Sequence, residues 1–90
     1  MKIKNAYQLK TIGENHLVTR RVNGKESILF ALNESGAMLW DGICEGLDEE
    51  GLTQMLCEEY EAQSDEEALI RGDVLEFVEQ LRRVDALEVE

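Results

Sequence analysis

The side chains that could do chemistry in this 90-residue chain are few and badly spaced for it. His16 is the only histidine, and Cys44 and Cys57 are the only cysteines. A structural zinc site takes four nitrogen or sulfur ligands at short spacings, and there is no CxxC pair to start one. The two thiols lie far apart, each inside a predicted helix, and read as reduced groups that face the core or are half-buried. His16 stands alone beside Asn15 and reads as a surface residue rather than a base. The 20 acidic residues fall in runs such as Asp65-Glu66-Glu67. Those runs suit the positive ends of helices, and nothing singles out a catalytic pair. No glycine-rich loop follows a strand in a phosphate-binding pattern. Asp48-Glu49-Glu50-Gly51 lacks the alternation of a calcium loop, and no Asp-Ser-Leu triplet marks an acyl carrier. The sequence argues against an enzyme and calls for no metal or cofactor.

What remains is recognition, and charge narrows the partners. Residues 1–32 carry six basic and two acidic side chains, a balance of +4. Residues 33–90 carry three basic and 18 acidic side chains, a balance of −15. An acidic helical surface repels phosphate backbones, so nucleic acid is not the expected partner. Solvation alone also explains such a face. No window reaches the ~18 apolar residues of a membrane span, and MKIKNAYQLK has no apolar signal-peptide core. The expected setting is cytoplasmic. The length, with no proline and no linker-like stretch, predicts one domain over residues 1–90.

The elements that must position any binding surface divide the chain. Tyr7 and Leu9 alternate with polar residues, and Gly13-Glu14-Asn15 offers a turn. Leu17, Thr19 and Arg21 alternate with Val18, Arg20 and Val22, the period of a strand. Asn23-Gly24 then gives a strong hairpin signal, because both residues accept positive φ. Ser27 to Leu32 is apolar at almost every position. Such a run suits a strand covered on both faces, or one whose exposed face awaits a partner.

Three helices are predicted to follow. Gly36, Leu39, Trp40, Ile43 and Leu47 form one apolar stripe, opened by Asn33 as N-cap and closed by Gly46. Asp48 caps a second helix with the stripe Leu52, Met55, Leu56 and Tyr60. Ser64 and Glu67 form a capping box for a third, with the stripe Ile70, Val74, Phe77, Val78 and Leu81. Gly72 lies inside that helix at a cost of about 1 kcal/mol against Ala, which a bend or a close neighbour would explain. The order β-β-β-α-α-α predicts an α+β domain in which helices cover one face of a small sheet.

The stretch Leu32-Asn33-Glu34-Ser35-Gly36-Ala37 with Leu39-Trp40 resembles the LNxTGxxIW signature of the PqqD-like family. Gly46-Leu47-Asp48, Leu52 and Glu58-Glu59-Tyr60 resemble that family's second helix. Asp73-Val74-Leu75-Glu76-Phe77-Val78 with Leu81 resembles its DVxxFLxxL third helix. The three motifs occur in order over roughly residues 5–88. Where the family ends in Gly-Leu-Leu, this chain has Asp85-Ala86-Leu87, and Asp tolerates the left-handed conformation less well than Gly.

The resemblance implies a RiPP recognition element: a winged-helix-like domain of three N-terminal antiparallel strands and three helices. Such domains bind the leader of a ribosomally made precursor peptide. They present it to a modifying enzyme, often a radical SAM maturase. The leader would lie as an extra strand on the third strand, in a groove closed by the third helix.

The residues suit that mechanism on their own terms, since an open strand edge can pair with an incoming peptide. The candidate peptide-binding strand is Ser27, Ile28, Leu29, Phe30 and Ala31, with Ile28 and Phe30 on one face as the groove floor. On the third helix, Arg71, Leu75, Val78 and Arg82 recur along one side and are the candidate wall. Arg71 and Arg82 would pair either with leader carboxylates or with Glu67, Asp73 or Glu79 of the chain itself. Trp40 reads as a core anchor. A DNA-binding winged helix, supported by Arg20, Arg21 and Lys25, and a protein-docking regulator are the rival readings. An open apolar edge also allows a homodimer.

Overall fold

The architecture follows the predicted order in a computed structural model, which describes residues 1–88; residues 89 and 90 of the expected domain lie outside the described residues. The elements are β1 (Tyr7–Ile12), β2 (Asn15–Val22), β3 (Lys25–Leu32), α1 (Glu34–Cys44), α2 (Glu49–Glu59) and α3 (Glu67–Arg83). The strands form one antiparallel sheet in the order β1-β2-β3. At the β2–β3 hairpin Asn23 and Gly24 both take positive φ, 53° and 79°, as a primed turn requires.

One face of the sheet supplies Tyr7, Leu9, Val18, Phe30 and Leu32 to a core completed by Leu39, Trp40, Ile43, Leu52, Leu56, Val74, Phe77, Val78 and Leu81. Trp40 is buried in that cluster, the anchor its stripe predicts. Tyr60 is different: it caps the end of α2 and stays 54% exposed, so the second stripe is one residue shorter than its spacing implied. Cys57 is half-buried and Cys44 is exposed. Partial desolvation and the neighbouring Asp41 and Glu45 push the Cys44 thiol above its ordinary pKa.

Local caps set the helix starts. Asn33 accepts from the Gly36 backbone N–H at 2.8 Å, and Asp48 accepts from that of Gly51 at 2.8 Å. A Cβ at Gly36 would stand 3.2 Å from the Leu32 Cβ, so glycine lets α1 begin tight against the end of β3. The predicted Ser64–Glu67 box does not form. The Glu66 carboxylate instead accepts from the Gln63 N–H at 2.9 Å, and α3 begins at Glu67 without a side-chain cap. Glu67 is drawn away to Arg71, one turn on, at 3.1 Å.

All three helices end alike. The N–H of Leu47, Ala62 and Ala86 returns to the carbonyl of Gly42, Cys57 and Leu81, the long bond of a Schellman motif. The left-handed residue is Gly46 in α1 but Glu61 and Asp85 in α2 and α3, with φ of 50° and 59° in the last two. Asp85 therefore does the work of the glycine that the resemblance would place there, at a cost of about 1 kcal/mol for an L-residue. Its carboxylate meets Lys4 Nζ at 2.8 Å, which holds it below the usual carboxylate pKa. This contact belongs to a clasp between the chain's two ends. Ile3 bridges Leu87, the Lys4 N–H donates to the Ala86 carbonyl at 2.8 Å, and the Tyr7 hydroxyl donates to the Val84 carbonyl.

Candidate functional site

Because β3 is the last strand of the sheet, one row of its backbone N–H and C=O groups points away from β2. Ser27, Ile28, Leu29 and Ala31 are exposed along it, and Phe30 is half-buried against the core. The register between β2 and β3 shifts at one point. Val18 faces Phe30, and its neighbour Thr19 faces Ile28, so Leu29 is an extra residue in β3. This is a β-bulge.

The bulge corrects one expectation. Val18 and Thr19 are adjacent and point to opposite faces of the sheet, so their partners Phe30 and Ile28 do as well. Phe30 lies on the core face. Ile28, 65% exposed, lies on the other with Lys10, Arg21 and Glu26. The two cannot floor one groove together. A strict period of two gives no warning of an inserted residue.

Beside the end of β3 lies a cleft of about 350 Å³. Ala31 and Leu32 form one side, Asn33 and Gly36 the base, and Asp73, Glu76, Phe77 and Gln80 of α3 the other side. The wall of this cleft is not the one anticipated. Arg71 points to α2, where its guanidinium donates to Glu50 at 2.6 and 3.3 Å. That bond holds the Glu50 carboxyl below its ordinary value. Arg82 stands 3.9 Å from Glu49 and 3.9 Å from Glu79. Val78 is 1% exposed and belongs to the core. Leu75 is exposed but lies outside the residues lining the cleft. The internal alternative for both arginines is the one the structure contains.

The reason is rotational. The stripe Val74, Phe77, Val78 and Leu81 points α3 at the core, and α3 packs chiefly on α2. Either flank of that stripe could have faced β3. The flank with Asp73, Glu76 and Gln80 does, and the flank with Arg71 and Arg82 faces the acidic start of α2. One signal in the sequence falls on the flank that lines the cleft. Gly72-Asp73 are two poor helix formers side by side in mid-helix, and a Cβ at Gly72 would meet nothing within 4 Å. No close neighbour within the chain accounts for that glycine.

Residues 20–87 match the family model described as coenzyme PQQ synthesis protein D (PqqD). The chain belongs to the PqqD family. Its fold is also that of a solved structure described as TbiB1 in complex with the TbiA(beta) leader peptide. The match has 23% sequence identity and a TM-score of 0.78, over 100% of this chain and 98% of the other. No curated protein matches significantly. The PqqD match begins at Arg20, inside β2, so it takes in the whole of β3 and the cleft wall on α3.

Proposed function

We propose that this PqqD-family protein is a RiPP recognition element. It binds the leader of a ribosomally made precursor peptide as a fourth strand on β3 and does no chemistry itself. It hands the bound precursor to a modifying enzyme, for which a radical SAM maturase is the first candidate. The observation that carries the reading is an apolar edge strand left open beside a cleft. Ile28, Leu29 and Ala31 are exposed on β3, and α3 stands off across the cleft. An edge that stayed in water would ordinarily be blunted by charge or proline. A neighbour of the same fold is described as a complex with a leader peptide, which supports peptide binding as the role. The setting would be cytoplasmic; among the described residues no helix is long and apolar enough to cross a membrane.

The peptide-facing residues in this reading are Ser27 to Ala31 of β3 with Asp73, Glu76, Phe77 and Gln80 of α3. This revises the wall from the Arg71 and Arg82 flank. A DNA-binding reading is disfavoured by sign, because the side of α3 not packed on α2 offers Asp73 and Glu76 where a phosphate contact needs Lys or Arg. Pairing of β3 edges from two copies would give a homodimer and would compete with the peptide.

Titration of ¹⁵N-labelled protein with the leader segment of the precursor encoded beside its gene tests the reading. Amide shifts along 25–32 and 73–80, saturating at one to one, are the expected result. Shifts elsewhere, or none at high peptide excess, would remove strand addition on β3 as the function.

A further inference from the structure

The cleft wall on α3 has a composition that the fold itself does not require, and this bears on what the leader must look like. Asp73, Glu76 and Gln80 line the cleft at intervals of three and four, and Leu69 and Gly72 continue that stripe of the helix toward its start, outside the cleft. From Leu69 to Gln80 the stripe runs about 16 Å at 1.5 Å per residue. Five extended residues cover about the same distance, which is also the span of Ser27 to Leu32. A strand added to β3 matches the stripe in length, and the end of β3 at Ala31 and Leu32 already faces Asp73, Glu76 and Gln80 across the cleft.

Three features of the stripe are unexplained by internal contacts. Leu69 is 72% exposed. Gly72 is open to solvent, with nothing near its missing Cβ. Asp73 and Glu76 have no cationic partner among the described residues, whereas Glu67 and Glu79 of the same helix are held by Arg71 and by Arg82 and Arg83. Where local choices disfavour the helix and nothing in the fold compensates, a functional constraint is the usual cause. The two unpaired acids line the cleft.

We propose that the segment bound on β3 carries a Lys or Arg whose side chain reaches Asp73 and Glu76, and that its chain passes close over Gly72. The inference rests on strand addition to β3 and adds the chemistry of the ligand. A carboxylate pair across a cleft from an open edge favours a cation strongly over an anion. The bare backbone at Gly72 leaves room that a Cβ would fill. Leu69, one turn before Asp73, offers an apolar contact beside it.

The test is a selection of random twelve-residue displayed peptides on the whole protein. It is run on the native sequence, on Asp73→Asn/Glu76→Gln, and on Glu58→Gln/Glu59→Gln, which removes the same charge from exposed positions of α2. Enrichment of Lys or Arg at one fixed position next to apolar residues is expected, lost in the first variant and kept in the second. A synthetic copy of the leading peptide should bind Asp73→Asn/Glu76→Gln at least tenfold more weakly. It should also bind Gly72→Ala more weakly, although that change raises the thermal midpoint of the free protein. Equal loss in both double variants would reduce the effect to overall charge and overturn the proposal. So would selected peptides without a basic residue that still shift the amides of 25–32, and strand addition would then survive. Peptides that bind without shifting those amides, or no enrichment at all, would overturn strand addition and the proposal with it.

Discussion

The sheet has two edges, β1 and β3, and they are built differently. β1 has six residues, YQLKTI, and β3 has eight, KESILFAL. On β1 Tyr7 and Leu9 turn inward, Ile12 at its end is exposed, and Lys10 sits mid-strand, its ammonium 2.5 Å from Glu26 across the sheet. The start of β1 is fixed by the clasp between the chain ends, through the Tyr7 hydroxyl and Lys4. β3 has no such closure. Its central residues are apolar and exposed, its pairing is kinked by the extra Leu29, and it runs toward a cleft. Short length and a mid-strand lysine are common ways to stop an edge from recruiting another chain. β1 uses both and β3 uses neither. Both edges expose backbone; the edge proposed to bind is the one with no charge at its centre, the bulge being its one irregularity.

Adding the missing protection should break the asymmetry. Leu29→Lys places a charge at the exposed bulge of β3 and should weaken leader binding at least tenfold, about 1.4 kcal/mol. Stability should change by no more than about 0.5 kcal/mol, as for most surface substitutions. Thr11→Lys, the same change on β1, should leave affinity within twofold. Calorimetric titration of both variants with the leader decides the matter, and equal losses would mean that β3 has no special standing.

How far this surface can be read from sequence depends on what fixes each part of it. Asn23-Gly24, Asn33, Gly46 and Asp48 act through bonds to residues two to four positions away, and all four do what their types predict. The apolar stripes likewise point each helix at the core. Two features that shape the cleft are not local. The bulge at Leu29 depends on how β3 meets β2, and it moves Ile28 to the other face. The choice of flank on α3 depends on how α3 packs on α2, which brings Arg71 and Arg82 to the acids at the start of α2. The sequence shows those acids, but not that α2 lies against that flank. Gly72 and Asp73, two weak helix formers side by side in α3, are the sequence's signal for the flank proposed to face the peptide.

The clasp allows a separation in the other direction, with stability changed and binding kept. The Tyr7 ring is buried, and its hydroxyl satisfies the Val84 carbonyl just past the end of α3. Tyr7→Phe keeps the ring and removes the donor, which should cost about 1 kcal/mol. Urea unfolding should show a lower midpoint with an unchanged slope. Leader affinity measured well below that midpoint should match the native protein, since β1 lies across the sheet from β3. A joint loss of stability and affinity would show that the two edges communicate through β2, and the simple division between closed and open edge would fail.

The smallest effect sharpens the comparison at the one place where the edges are tied together. Glu26 of β3 is shared by Lys10 of β1 and Arg21 of β2, at 2.5 and 3.2 Å. The hydrogen bond from Lys10, with its charge and that of Arg21, holds the Glu26 carboxyl below its ordinary value of 4.5. A carboxylate whose folded value is depressed binds protons more readily in the unfolded chain, so it favours the folded state above the ordinary value. That contribution fades as the pH falls from 4.5 through the lowered folded value. Its exposure keeps the contribution slight. Chemical shifts of the Glu26 carboxyl carbon followed from pH 6 to pH 2 should titrate below the ordinary value of 4.5, and Lys10→Gln should raise the midpoint. Because this triad lies on the face opposite Phe30 and the cleft, leader affinity should not follow the Glu26 titration. A binding curve that tracked it would place the solvent face of the sheet, rather than the α3 side, in contact with the peptide.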